Sequence, residues 1–384
     1  MEFLLTLVLL IGLVLCSLYL LLIASYCFAW IKMKEERLIS DVSVFVSVIV
    51  AARNEEENIA RCIDAVLAQN YPSEMFELII VDDHSEDATF KIATEYAKKF
   101  HQIKCVQLQA DLIGKKKAVT HAISIAKGKL IVTTDADCEM EINWLASFVS
   151  FYVKTNAKVI VAPVAFRKEN SLFEKMQSLE FMALMACGGA SLYYSKAIMC
   201  NGANLCYLKE VFNEVGGYST TDEKASGDDV LLMYKIKKSY PEGVLFLKSK
   251  EAIVYTKAVN TIKAFFQQRK RWASKGFLAL NKETKAVALL IYLFNLYLLC
   301  APLLGSICFK NSAVYSLYIE ICLILFGIKC FIDFLLLFLS ASFFHKKRFL
   351  LLFIPEQIIY MIYVVLFGFI GSLGKYEWKG RKTN

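Results

Sequence analysis

The sequence predicts an α/β body joined to apolar helices that cross a membrane. Three observations carry that prediction. Strand-like and helix-like stretches alternate between residues 42 and 259. Uncharged runs flank them, Phe3–Ile31 with 29 residues and Ala286–Phe309 with 24, where about 20 apolar residues suffice to span a bilayer. Hydrophobic residues make up 57% of the 384-residue chain before glycine is counted, against roughly 45–50% with glycine in a soluble protein. These observations exclude a purely soluble enzyme, a disordered chain and a secreted disulfide scaffold.

The first element, residues 1–31, reads as an uncleaved anchor. It lacks a basic leading region, and its apolar stretch is about twice that of a signal peptide. Lys32, Lys34 and Arg37 follow it and place the body behind it in the cytosol by the positive-inside rule. Val44–Ala51 is a short β-branched run, and Glu55–Gln69 has an amphipathic helical pattern. Strand Phe76–Val81, helix Asp87–Phe100, strand Ile103–Leu108, helix Lys115–Lys127 and strand Leu130–Thr134 follow. Such alternation predicts a parallel sheet with helices on both faces, and the body is bounded at 42–259. Residues 260–285 form a basic amphipathic segment with a net charge of +6. Residues 286–373 hold about three further spans: Ala286–Phe309, Ala313–Phe344 and Phe349–Leu373. In the second of these, Lys329 and Asp333 stand four apart and can pair on one helix face. In the third, Pro355-Glu356 marks a helix start, which suggests a short interfacial piece before the span. Four full spans leave the basic tail, 374–384, outside the cell, where Lys375, Lys379, Arg381 and Lys382 are disfavoured. A re-entrant last segment resolves that conflict.

The net charge of +8 is concentrated beside the membrane, and residues 32–259 come to −2. The body is therefore not a nucleic-acid binder, whereas the basic segments suit anionic membrane lipids. Twelve cysteines with no CxxC pair indicate reduced thiols facing a cytosol.

Ligands of such sheets bind beyond the carboxyl ends of the strands. Three polar clusters fall there: Ala52-Arg53-Asn54-Glu55, Asp82-Asp83-His84-Ser85 and Asp135-Ala136-Asp137. Each alone is equally a solvated turn or a helix cap. Together they gather five carboxylates, Glu55, Asp82, Asp83, Asp135 and Asp137, at one edge. Asp135 and Asp137 suit a divalent cation, Mg²⁺ or Mn²⁺, bound through carboxylates and substrate phosphates. Gly114-Lys115-Lys116-Lys117 opens a helix and suits an anion; the lysines, Lys116 above all, are equally a solvated helix face.

These residues resemble family 2 glycosyltransferases of the GT-A fold. The likeness runs through Val46–Glu56, Glu77–Ser85, Gly114-Lys115-x-x-Ala118, Asp135-Ala136-Asp137, Gly227-Asp228-Asp229-Val230-Leu231-Leu232 and Gln268-Arg269-Lys270-Arg271-Trp272. The last matches the Q-x-x-R-W motif of membrane-embedded members such as cellulose, hyaluronan and poly-N-acetylglucosamine synthases. The ordered set, over about residues 44–275, is far more specific than a lone D-x-D. Ala51 departs from a common proline, Asp228 from a common glutamate, and no counterpart of the cellulose synthase gating loop is present.

The resemblance implies an inverting transfer of a sugar from a nucleotide-diphospho-sugar to a membrane-associated acceptor, a glycan or a lipid-linked molecule. Arg53, Glu55, Asp82 and Asp83 would hold the nucleoside, Lys115 the diphosphate, Asp135 donor and metal, and Asp137 the metal. Asp229 would be the base, or else Asp228-Asp229 is a helix-cap pair. Asn201, Gly202, Asp228, Gln268, Arg271 and Trp272 would face the acceptor. Trp272 is either a sugar platform or an interfacial anchor. The implied protein is a multi-pass protein of a bacterial inner or cell membrane with a cytosolic catalytic domain. Two alternatives stand beside this one: single-sugar transfer to a lipid carrier, and a transporter with a nucleotide-binding domain, which the intramembrane charges Glu320, Lys329 and Asp333 would suit.

Overall fold

The computed structural model describes residues 2–38, 43–218, 228–273, 281–308, 315–370, 376–378 and 381–383. In chain order its elements are α1 (Glu2–Lys32), β1 (Val46–Ala52), α2 (Ile59–Leu67), β2 (Phe76–Asp82), α3 (Thr89–Lys99), β3 (Ile103–Gln107), α4 (Lys115–Ile125), β4 (Leu130–Asp135) and β5 (Glu139–Met140). There follow α5 (Trp144–Thr155), β6 (Val159–Val161), β7 (Val164–Phe166), α6 (Leu172–Tyr193), β8 (Leu205–Leu208), α7 (Lys209–Glu214), α8 (Asp228–Ser239), β9 (Val244–Phe246) and β10 (Val254–Thr256). The chain closes with α9 (Ile262–Ala273), α10 (Lys282–Cys308), α11 (Tyr315–Phe343), α12 (Phe353–Ile370), β11 (Tyr376–Trp378) and β12 (Arg381–Thr383). It divides into two compact units. One is Met1–Lys32, Asn170–Ala190 and Asn260–Gly374; the other is Met33–Glu169, Ser191–Val259 and Lys375–Asn384.

The second unit is built on a seven-stranded sheet of order β3-β2-β1-β4-β8-β6-β9. β1 is parallel to both β2 and β4, and β2 to β3. The sheet departs from the parallel expectation at β8, which runs antiparallel to β4 and to β6. Only four residues long, β8 lies beyond the stretch whose alternation suggested a parallel sheet. β5, β10 and β7 form a small second sheet. Every residue of β2 is buried, as befits a near-continuous apolar strand covered on both faces.

Two of the helices begin later than their patterns suggest. Asn54 (φ 50°) and His84 (φ 56°) adopt left-handed backbone just after β1 and β2, so each strand ends in a turn. The two turns interlock: Asn54 N–H donates to Ser85 Oγ at 3.0 Å, and Glu86 N–H to Asn54 Oδ1 at 2.9 Å.

At the opposite end of the sheet, the buried Glu77 carboxylate ties three elements together. It accepts from Ser47 Oγ at 2.7 Å, from Lys104 Nζ at 2.7 Å and from Lys127 N–H at 2.5 Å. Gly128 N–H donates to Ser47 Oγ at 2.8 Å. A Cβ on Gly128 would lie 2.3 Å from the backbone nitrogen of Ser47, so this turn between α4 and β4 admits only glycine.

In the first unit, four helical stretches among the described residues are long and apolar enough to cross a membrane: Thr6–Lys32, Lys282–Ile307, Tyr315–Phe343 and Lys347–Phe369. The last begins as a 3₁₀ turn, Lys347–Leu352, before α12, with Pro355 in the first turn of the α-helix. α1 and α10 approach closely at Gly12, where a Cβ would meet the Tyr297 ring at 2.3 Å, the small-residue packing usual between membrane helices. Lys329 pairs with Asp333 at 2.7 Å, as their spacing allows. Asp333 also accepts from Tyr19 OH at 2.7 Å, and Lys329 Nζ donates to Gln357 Oε1 at 2.5 Å. Glu320 is exposed. Elsewhere in the unit, Glu180 of α6 accepts from Arg269 and from Tyr363 OH.

Candidate active site

The sheet register explains why the acidic clusters meet. β1 is central, with Ala52 opposite Asp82 and Ala51 opposite Asp135. The carboxylates of β2 and β4 therefore emerge almost level, on either side of the end of β1. Asp82 is buried, accepting Ser85 N–H at 3.1 Å on Oδ2, while its Oδ1 is buried without a hydrogen-bond partner. Asp83 accepts Gly114 N–H on Oδ1 at 3.0 Å. Arg53 is 8% exposed and braces the loop after β2, donating to the carbonyls of Asp83 at 2.9 Å and His84 at 2.6 Å and pairing with Glu86 at 3.0 Å. Glu55 accepts from Asn58 Nδ2 at 2.8 Å.

α4 begins at Gly114, whose φ of 102° suits glycine. That turn fixes the directions of the next two lysines. Lys115 donates to Asp135 Oδ1, and Lys116 pairs with Asp228 Oδ1 at 3.1 Å. Asp137 accepts from Thr256 Oγ1 of β10 at 3.2 Å and from the thiol of Cys138 at 3.7 Å.

Asp228 and Asp229 open α8; Gly227, before them, lies outside the described residues. Asp229 Oδ2 accepts Gly202 N–H at 2.7 Å. The carbonyl of the same Gly202 accepts from Thr133 Oγ1 at 2.8 Å, and Thr133 lies on β4 two residues before Asp135. Asn201 caps the short turn Gly202–Asn204 by accepting Ala203 N–H at 3.0 Å. Burial pushes the Asp228 carboxyl up to about 6, against the pull of Lys116.

The structure thus brings Asp82, Asp83, Lys115, Asp135, Asn201, Gly202, Asp228 and Asp229 into one connected set, with Arg53 behind it. Gln268, Arg271 and Trp272 belong to α9, in the first unit. There the Trp272 ring stacks with Phe181 at 6.3 Å between centroids, with the Arg269 guanidinium 4.3 Å from its own. Arg269 Nη1 approaches Gln268 Oε1 at 3.5 Å.

Four of these side chains carry little or no signal in the sequence. Lys116 reads there as an anion ligand or a solvated helix face. Thr133 carried a signal, since alternate strand residues share a face with Asp135. Arg269 carried one too, because Phe265, Arg269 and Trp272 follow helical spacing. Thr256 had none.

Among the described residues no group of three or more His, Cys, Asp or Glu is placed to hold a metal. The side chains of Asp135 and Asp137 nevertheless fit a hard divalent cation, which typically binds through one or two carboxylates together with substrate phosphates.

Residues 47–216 match the profile of Glycosyl transferase family 2. The beta-monoglucosyldiacylglycerol synthase of Trichormus variabilis is 28% identical over 245 residues, covering 61% of this chain and 49% of the relative. The poly-beta-1,6-N-acetyl-D-glucosamine synthase of Staphylococcus epidermidis is 27% identical over 262 residues, covering 65% and 60%. The chain spans about half the length of the first curated relatives it matches. Among solved structures, a mannosyltransferase from Pyrobaculum calidifontis, in complex with GDP-Man and Mn²⁺, superposes with a TM-score of 0.58 at 18% identity, over 95% of this chain and 99% of that one. The α/β unit has the GT-A fold of that mannosyltransferase. The chain carries a domain of glycosyltransferase family 2.

Proposed function

We propose that the protein is an inverting glycosyltransferase that moves a sugar from a nucleotide-diphospho-sugar to a membrane-associated acceptor, in polysaccharide or glycolipid synthesis. The observation that carries this is where the carboxylates stand. Asp82, Asp83, Asp135 and Asp137 follow the parallel strands, whereas Asp229 stands on α8, oriented by one backbone N–H.

In this reading Asp82 and Asp83, with Glu55 and the loop braced by Arg53, take the nucleoside. Lys115, at a helix N-terminus, faces the diphosphate. Asp135 and Asp137 would hold a divalent cation, which when bound would supply neutralising charge beside the diphosphate. Asp229 accepts the proton of the acceptor hydroxyl. That oxygen bonds to the anomeric carbon as the bond to the diphosphate breaks, and the nucleoside diphosphate leaves with the electron pair. One base and one displacement invert the anomeric centre. Within the α/β unit Asn201, Gly202 and Asp228 take the acceptor side, and lipid surrounds the apolar helices of the other unit.

The likeness to a glycolipid synthase and to a polysaccharide synthase supports a lipid-borne or glycan acceptor. Single-sugar transfer to a lipid carrier is the second reading, favoured by the glycolipid synthase among the relatives. The test uses full-length protein in detergent with Mn²⁺ and a panel of UDP-N-acetylglucosamine, UDP-glucose and GDP-mannose, reading nucleotide release and product length. Asp137→Ala is expected to abolish metal-dependent release. Unchanged activity with an unchanged Mn²⁺ titration would remove Asp137 from the metal site.

A further inference from the structure

The Lys116 side chain is only 11% exposed and its partner Asp228 only 16%. A surface lysine gains little from an ion pair, but a lysine this far out of water needs its partner, because a buried charge without one is costly. The pair also closes a loop of contacts. From Asp135 the path runs through Lys115 to the start of α4. It continues through Lys116 to Asp228 and along one peptide unit to Asp229. From there it passes through Gly202 N–H to the Gly202 carbonyl, then through Thr133 Oγ1 back to β4 and Asp135. Gly114 N–H on Asp83 anchors the α4 end of the loop to the strand edge. Two adjacent lysines of one helix thus grip the donor-side and the acceptor-side carboxylates separately.

We propose that Lys116 is a positioning residue for sugar transfer: by holding Asp228 it fixes the first turn of α8, and with it the carboxylate of Asp229, relative to the strand end that bears Asp135. The proposal rests on the reading of Asp229 as base and Asp135 as donor ligand. Lys116 does not touch the donor in this role; Lys115 does. Its removal leaves donor affinity in place and loosens the base. A reacting group displaced by about 1 Å loses on the order of 10²-fold in rate.

The test measures donor KM, kcat for transfer and the pH profile in full-length protein with Mn²⁺, using whichever donor of the panel the wild type turns over. Lys116→Met is expected to lower kcat about 10- to 100-fold with donor KM within about twofold. It should also move the acidic limb of the profile to higher pH by about one unit or more, since Asp228 loses a nearby cation. Lys116→Arg should restore most of kcat. In the Asp228→Asn background, Lys116→Met should add little, as coupled residues are non-additive. Lys116→Gln keeps a polar head in the same space and carries the test if the methionine variant does not fold. A raised donor KM with kcat intact would make Lys116 a donor ligand and overturn the proposal. An unchanged profile, or fully additive losses in the double variant, would overturn it too. Wild-type protein that releases no nucleotide from any donor overturns the functional reading and this proposal together; an active wild type with an indifferent Lys116→Met overturns this proposal alone.

Discussion

Asp228 and Asp229 are neighbours in sequence with different surroundings. Asp229 accepts the Gly202 N–H, an arrangement suited to a group that must receive a proton at a defined point. Asp229→Asn is therefore expected to slow transfer by roughly 10²–10⁴-fold while donor affinity stays near wild type; equilibrium binding of the nucleotide beside single-turnover rates checks both. Asp228 is faced by Lys116 and Lys115 from α4, by Asp229 on its own helix and by Tyr218. Burial raises its pKa to about 6. A raised carboxyl pKa means the folded protein holds this proton more tightly than the unfolded chain does. The group's contribution to stability is greatest in acid and falls as pH rises from its ordinary 3.8 through about 6. In the folded protein the ion pair with Lys116 forms as pH rises through about 6. Transfer is expected to fall below about pH 6, and Asp228→Asn to flatten that limb; a limb of the same shape in the variant would assign it elsewhere. At this scale the sequence was legible where chemistry restricts the residue type. The strand-end aspartates fall in that class. Lys116 does not, because three consecutive lysines look alike until the helix fixes which one meets Asp228.

At the scale of elements, Glu77 shows how a polar group can sit at the root of a buried sheet. Burial pushes its pKa up, but Lys104, the Lys127 N–H and Ser47 together more than offset this and leave it below its ordinary value. The stability it contributes is present above its ordinary pKa of 4.5 and is lost as pH falls through the depressed value. Glu77→Gln is expected to destabilise by about 2–3 kcal/mol near neutrality, the range for hydrogen bonds to a charged group. The gap to wild type should narrow as pH falls below 4.5. Thermal unfolding midpoints at pH 7 and pH 3.5 measure this; a gap of constant size would mean that charge has no part in it. β1 to β4 could be read from alternation because each is apolar, short and bounded by turn residues. β8 could not, since four buried residues carry no mark of direction. Its antiparallel course is set by pairing with β4 and β6, which are distant in sequence.

For the molecule as a whole, the apolar runs and basic flanks were the plainest signals, because the length of a span is a physical requirement. The buried partners were less plain. Spacing alone foreshadowed Lys329 with Asp333, but Glu180 with Arg269 joins α6 to α9 over a sequence separation of 89 residues. Lys32, Lys34 and Arg37, with the +6 segment 260–285, lead us to expect a cytosolic catalytic domain and an N-terminus on the outer face. An impermeant thiol reagent applied to intact cells should label a cysteine placed at residue 2 and spare one placed at exposed Lys98. The reverse pattern would invert the topology.

Tyr19 and Asp333 are joined by a hydrogen bond although 314 residues separate them. A ribosome therefore finishes α1, and the whole α/β body after it, long before Asp333 exists. In a bilayer α1 can wait, since its 29-residue core carries no charge. α11 cannot wait in the same way: Lys329 and Asp333 must enter together, each neutralising the other, and then find Tyr19 and Gln357. The order of synthesis thus makes the contact between Tyr19 and Asp333 a late event in the making of the chain. A chain truncated after residue 308 should still sediment with membranes and keep the seven-stranded sheet, while lacking α11, α12 and the β11–β12 pair.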